Sequence, residues 1–306
     1  MEIAGFFQDD TKYVASNSQL YKDDDEPDPH SVKRKVTNHV GYYVQLRLLF
    51  GREIKKLLRD KISFLITVAS SASFGLLFGC IFFQVGQAPY TQYPEVMASF
   101  GALSNLLIST MFGSAQNSLT AFPRDRPVFL REYSTNHYSV IPYFLANFST
   151  ECVTVFIQVL SQQMAAWFLM GFRMNFFLFL GLNFVLSIAS TSIGIFIGCV
   201  SENPEIAGQM FPVLIVPQLL FSGFFIQINL IPKFLRWAQY LCSLNYASKL
   251  ATRYEFGSCQ SVACQGLLED NNANMIAAVW YWMLLVAIGA TFRIASMIVL
   301  RRKATF

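Results

Sequence analysis

Residues 62–94, 96–123, 174–201 and 206–232 contain no Asp, Glu, Lys or Arg. These four uncharged runs limit the possible folds more than any other feature, because each can hold the roughly 20 residues that a membrane-spanning helix needs. A backbone in hydrocarbon must satisfy its own hydrogen bonds, so long apolar runs of this kind become helices. A charged fraction of 14% is well below the roughly one quarter of a soluble domain, too little to cover a water-facing surface. The expected fold is an all-α polytopic membrane protein of about six transmembrane helices, with an amphipathic connecting helix before them and a re-entrant helix pair before the last span.

The chain divides into an acidic tail or linker, 1–40, and a transmembrane domain, 41–306. Residues 1–29 hold eight acids and two Lys, a composition that buries too little apolar area to offset chain entropy. The sign then reverses, with nine Lys or Arg against two acids over 33–61. Within that stretch 42–60 reads as an amphipathic helix, with Val44, Leu48, Leu49, Ile54, Leu57 and Leu58 near one face and Arg47, Arg52, Lys55, Lys56 and Arg59 toward the other. It suits an anionic leaflet or, equally, the side of a cytoplasmic domain.

Spans are expected at about 62–84, 96–122, 141–172, 176–200, 207–227 and 275–300, the fifth kinked by Pro212 and Pro217. Residues 123–132 read as a charged, Pro-bounded loop between the second and third. Residues 232–256 are aromatic-rich but carry Lys233, Arg236, Lys249, Arg253 and Glu255, and read as a re-entrant or interfacial helix pair. Basic residues before the first span, between the second and third, and at Arg301-Arg302-Lys303 place both termini on the cytoplasmic side. This topology puts the basic residues of 232–256 on the outside.

The net charge of +4 is no nucleic-acid signature, because the basic residues flank apolar runs. The three His are scattered and show no metal-ligand spacing. No cleavable signal peptide is visible in the first 20 residues. Of the six Cys, only Cys259 and Cys264 fall together in a polar loop, on the face expected outside. An oxidising compartment favours a disulfide there, within the chain or between chains.

No catalytic motif is present. The sequence lacks G-x-x-x-x-G-K-[ST], H-E-x-x-H and G-x-S-x-G, so the expectation is a non-enzyme with no bound cofactor. Glu151 is the one acid in the third span. An ionisable group at membrane depth is functional by default, but no second intramembrane carboxylate suggests a proton relay, and the reading favours a packing role. Asn105, Gln116, Asn117, Gln158, Gln162, Gln163 and Asn183 are milder and are expected to bond helix to helix.

Several of these features together resemble one family. Arg124-Asp125-Arg126-Pro127-Val128-Phe129-Leu130-Arg131-Glu132 followed by Tyr138 is similar to an "E-R-x-V-F-x-R-E … Y" segment. Phe221-Ser222-Gly223-Phe224-Phe225 closes the fifth span, and Ile231-Pro232 through Trp237, Tyr240, Ser243 and Tyr246 is similar to "I-P-x-W-x-x-W-x-x-Y-x-S-x-x-Y". With the basic connecting helix ending Arg59-Asp60, these stand in the order found in the membrane domain of ABC transporters of the G subfamily, the White and pleiotropic-drug-resistance type. The resemblance covers nearly all of residues 42–303.

It implies the membrane half of an ATP-driven exporter of hydrophobic or amphipathic compounds such as lipids, sterols or xenobiotics, paired with a second membrane half as a homo- or heterodimer. ATP and Mg would sit on a nucleotide-binding domain or subunit outside these residues. The resemblance places a substrate cavity at Leu106, Ser109, Phe112, Val216 and Leu219. It places a gate at Phe224 and Phe225, where many relatives have two leucines. It assigns coupling to the ATPase to Arg124, Asp125, Arg126, Arg131 and Glu132. Since no ATPase motif is present, the alternatives are a partial gene product, a separate ATPase subunit, or a non-transporting scaffold or regulatory partner.

Overall fold

The computed structural model describes residues 42–134, 140–201, 203–226, 231–273 and 276–304; for 124–134 it describes the backbone only. The tail assigned to 1–40 lies outside the described residues. Nine α-helices follow in order, with no strand among the described residues: α1 Tyr42–Arg59, α2 Lys61–Ile81, α3 Tyr93–Ser134, α4 Val140–Met170, α5 Phe176–Val200, α6 Pro204–Leu220, α7 Ser243–Phe256, α8 Val262–Asp270 and α9 Ala278–Ala304.

Among the described residues five helices are long and apolar enough to cross a membrane: Lys61–Ile81, Tyr93–Pro123, Ile141–Met170, Phe176–Val200 and Ala278–Lys303. The fifth expected span, α6, has 17 residues, about 25 Å of helix against a hydrocarbon core of about 30 Å. Pro212 and Pro217 lie in its interior. It stops at Leu220, and Gly223, at φ 84°, then turns the chain through a conformation that only glycine adopts without strain.

Residues 123–132 are not a loop. The backbone stays helical through Ser134 despite Pro123 and Pro127. The sequence reading took the two prolines and the charges as the end of the helix, but neither proline breaks it here. A helix that has left the hydrocarbon can carry charge.

The helix α5 is the hub, packing on α3, α9 and α4, while α2 packs on α4. Small residues set these approaches. A Cβ on Gly194 would run into the carbonyl oxygen of Ala115 on α3, and one on Gly75 of α2 into that of Gln162 on α4. A Cβ on Gly289 of α9 would lie 3.2 Å from the Cα of Ala189. The outward face of α2, including Ile62, Leu65, Ile66 and Phe74, is exposed and apolar, as a lipid-facing helix requires.

On α1 only part of the expected apolar face is covered by protein. Leu49 is buried beside Tyr143 and Phe144, whereas Val44, Leu48 and Leu58 remain exposed.

Residues 232–256 form a short 3-10 turn, Arg236–Leu241, followed by α7. Trp237 and Tyr240 are exposed in the turn. By contrast, α7 sits against α3, α5 and α9, and its Leu244, Ala247, Leu250 and Ala251 join the main core. Part of the stretch read as a polar loop after it is helical, as α8.

Candidate functional site

Two buried carboxylates mark opposite ends of the bundle. The basic end carries Arg301, Arg302 and Lys303 at the close of α9. At the loop end the α2–α3 and α4–α5 connections meet, and the Gln84 amide donates to the Leu169 carbonyl at 2.9 Å.

Toward the basic end, Glu151 on α4 faces Arg293 on α9, with Nη1 to Oε2 at 2.7 Å and side chains 10% and 12% exposed. The approach is off the N–H axis, so it is an ion pair rather than an aligned hydrogen bond. Arg293 Nε donates to Ser192 Oγ on α5 at 3.3 Å, and its guanidinium lies 4.8 Å from the Phe148 ring centroid. Ser118 on α3 donates to Glu151 Oε1 at 3.3 Å. One acid and one base thus tie four helices. Removing either partner of such a pair costs about 3–5 kcal/mol, because the other charge stays buried.

Sequence reasoning singled out Glu151 and missed Arg293. The signal was there, since Arg293 is the one charged residue between Asp270 and Arg301. A lone intramembrane cation and a lone intramembrane anion are each other's default partners.

From Glu151 a polar seam climbs between α3 and α4. Asn117 donates to Gln158 at 3.2 Å, Gln162 donates to Ser109 at 2.6 Å and Gln163 donates to Thr110 at 3.2 Å. These amides bond helix to helix, whereas Asn105 and Asn183 each donate to a carbonyl of their own helix. A cleft of about 350 Å³ opens between α1, α2, α3 and α4, with Ser114, Asn117, Ser118 and Glu151 in its wall.

At the loop end, Glu255 of α7 is 1% exposed. Its Oε1 accepts from the Tyr90 hydroxyl at 2.9 Å and the Arg173 amide at 3.1 Å; its Oε2 accepts from the Met174 amide at 3.0 Å. Tyr90 also shares a 2.9 Å hydrogen bond with Ser99 on α3. The Arg173 guanidinium donates to the carbonyls of Gly86 and Ala88 and lies 4.3 Å from the Tyr90 ring centroid. Burial first, then the Glu255 carboxylate, pushes the Tyr90 phenol above its ordinary range, so it remains a proton donor. The sequence reading took Glu255 only as a charge spoiling a span. Nothing along the chain links it to Tyr90, 165 residues away.

The residues of the expected cavity wall separate. Leu106 has no exposed surface and packs in the main core. Ser109 is engaged by Gln162. Phe112 is half-buried, edge-on to Phe211 of α6 at 5.8 Å. Val216 is 47% exposed and Leu219 half-buried on α6.

Of the expected gate, Phe224 packs on Phe100 at 5.8 Å within the cluster of Tyr90 and Phe256, whereas Phe225 is 59% exposed. Cys259 and Cys264 are disulfide-bonded to each other, and Cys264 packs into that same cluster. The coupling residues Arg124, Asp125, Arg126, Arg131 and Glu132 lie on the helical backbone of α3, their side chains outside the described part. No group of His, Cys, Asp or Glu among the described residues could hold a metal.

A bundle of long apolar helices with these polar ties agrees with what comparison shows. Residues 44–256 match the family described as ABC-2 type transporter. The chain belongs to this family. As an ABC-2 membrane domain it is similar to G-subfamily proteins. It is 25% identical over 227 residues to "ABC transporter G family member 1" of Dictyostelium discoideum, covering 72% of this chain and 28% of that protein. It is 28% identical over 241 residues to "Protein white" of Ceratitis capitata, covering 78% of this chain and 34% of the relative. To "Protein white" of Drosophila melanogaster it is 29% identical over 216 residues, covering 70% and 31%. The chain therefore spans about a third or less of these relatives' length, and the family match ends at the Glu255 end of α7, short of Arg293.

Proposed function

We propose that this ABC-2 chain is the membrane half of an ATP-driven exporter of hydrophobic or amphipathic compounds, working as a dimer of such halves. The family match over residues 44–256 carries the reading. The 306 residues hold no P-loop, and this reading assigns ATP hydrolysis to other residues. ATP and Mg belong to a nucleotide-binding domain outside them.

In this reading α2, α3, α4, α5, α6 and α9 are six spans, with α7 re-entrant from the outer face and both termini cytoplasmic. The basic end is then inside, and the disulfide and the Glu255 cluster lie outside. The exposed face of α6, including Val213 and Val216, together with Ser109, Phe112 and Leu219, would face the second half and the cavity between them. Phe225 is the stronger gate residue of its pair, because Phe224 is held by packing. The charged end of α3, Arg124 to Glu132, extends past the apolar span and would meet the ATPase.

Vesicles containing the transporter assembled with its nucleotide-binding domain test this. Parent vesicles accumulate a fluorescent amphiphile on addition of ATP. Asp125→Lys and Glu132→Lys insert normally but lose most of that uptake. Absence of ATP-driven uptake by the parent, with ATPase activity intact, refutes export. Normal uptake by both variants removes the coupling role and leaves the segment a topology anchor.

A further inference from the structure

A second concavity lies away from α6, on the flank of the bundle. It holds about 420 Å³ between α4, α5 and α9. Its walls include Phe148, Phe184, Val286, Ala290 and Ile294, and its few polar groups include Ser192 and Arg293. Ala290 leaves the middle open, and Gly289 beneath it draws α9 onto Ala189 of α5. Along α9 the groove runs from Leu285 to Met297, about 18 Å of helix, close to the roughly 15 Å that one leaflet contributes to a hydrocarbon core of about 30 Å.

The mouth of the groove is basic. Arg301 follows Met297 by one helical turn, and Arg301 and Arg302 are exposed. Lys303 Nζ donates to the carbonyls of Cys199 and Val200 at 3.0 and 2.7 Å. This ties the end of α9, which carries these cationic residues, to the end of α5. The amphipathic helix α1 packs there as well, with Leu49 in one cluster with Phe144 and Leu300, and Met297 against it.

We propose that this groove binds one anionic phospholipid, with an acyl chain lying from Met297 to Leu285 and the headgroup phosphate meeting Arg301 and Arg302. A groove facing hydrocarbon forfeits dispersion contacts unless something fills it, and an acyl chain of that leaflet matches its length and polarity. Charge complementarity chooses the headgroup, since basic residues just beyond a membrane helix attract anionic lipids. The chain would cover the face of Arg293 turned away from Glu151, shielding the ion pair from water. The rival occupant is a sterol, whose single hydroxyl would sit at Arg293 Nη2, a buried donor without a hydrogen-bond partner, and would make no use of the basic mouth.

Native mass spectrometry of the purified protein, with phosphatidylserine, phosphatidylcholine of the same chains, or cholesterol added, tests the assignment. The parent should retain phosphatidylserine over phosphatidylcholine by on the order of tenfold. Arg301→Gln/Arg302→Gln should retain the two equally. Ala290→Trp and Ile294→Trp place an indole in the groove from exposed positions and should lose both lipids while eluting and melting like the parent. Equal retention of the two phospholipids by the parent overturns the proposal. So does undiminished phosphatidylserine in both tryptophan variants, or cholesterol retained in preference to phosphatidylserine.

Discussion

Glu255 and Glu151 are both buried acids in one bundle, yet they are satisfied differently. Glu255 has three neutral donors, two of them backbone amides, supplied by the two connections at the loop end. Glu151 has one cation, brought across by α9, and one hydroxyl from α3. Backbone amides cannot swing away without unfolding their loop, so the Glu255 cluster is a lock on chain connections. A side-chain ion pair between two helices can part by rotamer change or helix slip and close again. The difference suits a fixed cap at the loop end and, if the chain exports as proposed, helices toward the basic end that shift relative to one another.

The largest expected effect is Glu255→Leu. It strands two backbone amides, at about 1–3 kcal/mol each, leaves the Tyr90 phenol only its hydrogen bond with Ser99, and should lower the yield of monodisperse protein and its melting temperature more than any other single change described here. Glu255→Gln keeps a carbonyl acceptor and should lose less. If Gln proves as damaging as Leu, the carboxylate charge and not its acceptor capacity holds the cap, and the contrast with Glu151 weakens.

Next in size is Arg293→Met, expected to cost about 3–5 kcal/mol by leaving Glu151 buried and unpaired. The double variant Glu151→Gln/Arg293→Met should recover most of that stability in a thermal-shift assay. Additive losses would mean that the two residues act separately, each through its own contacts with Ser118 and Phe148.

Removal of the disulfide, Cys259→Ser/Cys264→Ser, should cost about 2 kcal/mol for so short a loop. Cys264 shares the apolar cluster of Tyr90 and Phe256, so the loss should appear as faster hydrogen exchange in 256–270 and leave the Glu151 region unchanged. Exchange that rises equally at both ends would remove the distinction between a local cap and the Glu151 end of the bundle.

The smallest effect is expected for Tyr90→Phe, about 1 kcal/mol. Glu255 keeps both amides, and Ser99 still donates to the Val85 carbonyl at 3.2 Å. A loss as large as that of Glu255→Leu would make Tyr90, not the amides, the centre of the lock.

Long apolar helices were legible from the uncharged runs alone, because lipid leaves the backbone no alternative. The end of α3 was not. Pro123 and Pro127 are strong local stop signals, and no rule of sequence says when a helix leaving the membrane will run through them. The candidate site was half legible. Glu151 was visible as an acid in an apolar run, and Arg293 was visible by the same test. Glu255 was not, because 232–256 carries enough charge that one more acid does not stand out.

Composition and periodicity, then, determined that this chain lies in a membrane as helices, and the order of its motifs indicated its family. Tertiary structure decided which residues meet. It put Leu106 in the core and Val216 on an open face of α6, since helical spacing fixes a side chain's direction on its own helix but not which helix stands opposite. It brought Glu255 to Tyr90 and Arg293 to Glu151 across 165 and 142 residues, where burial makes pairing obligatory and only the packing of the bundle chooses the partner.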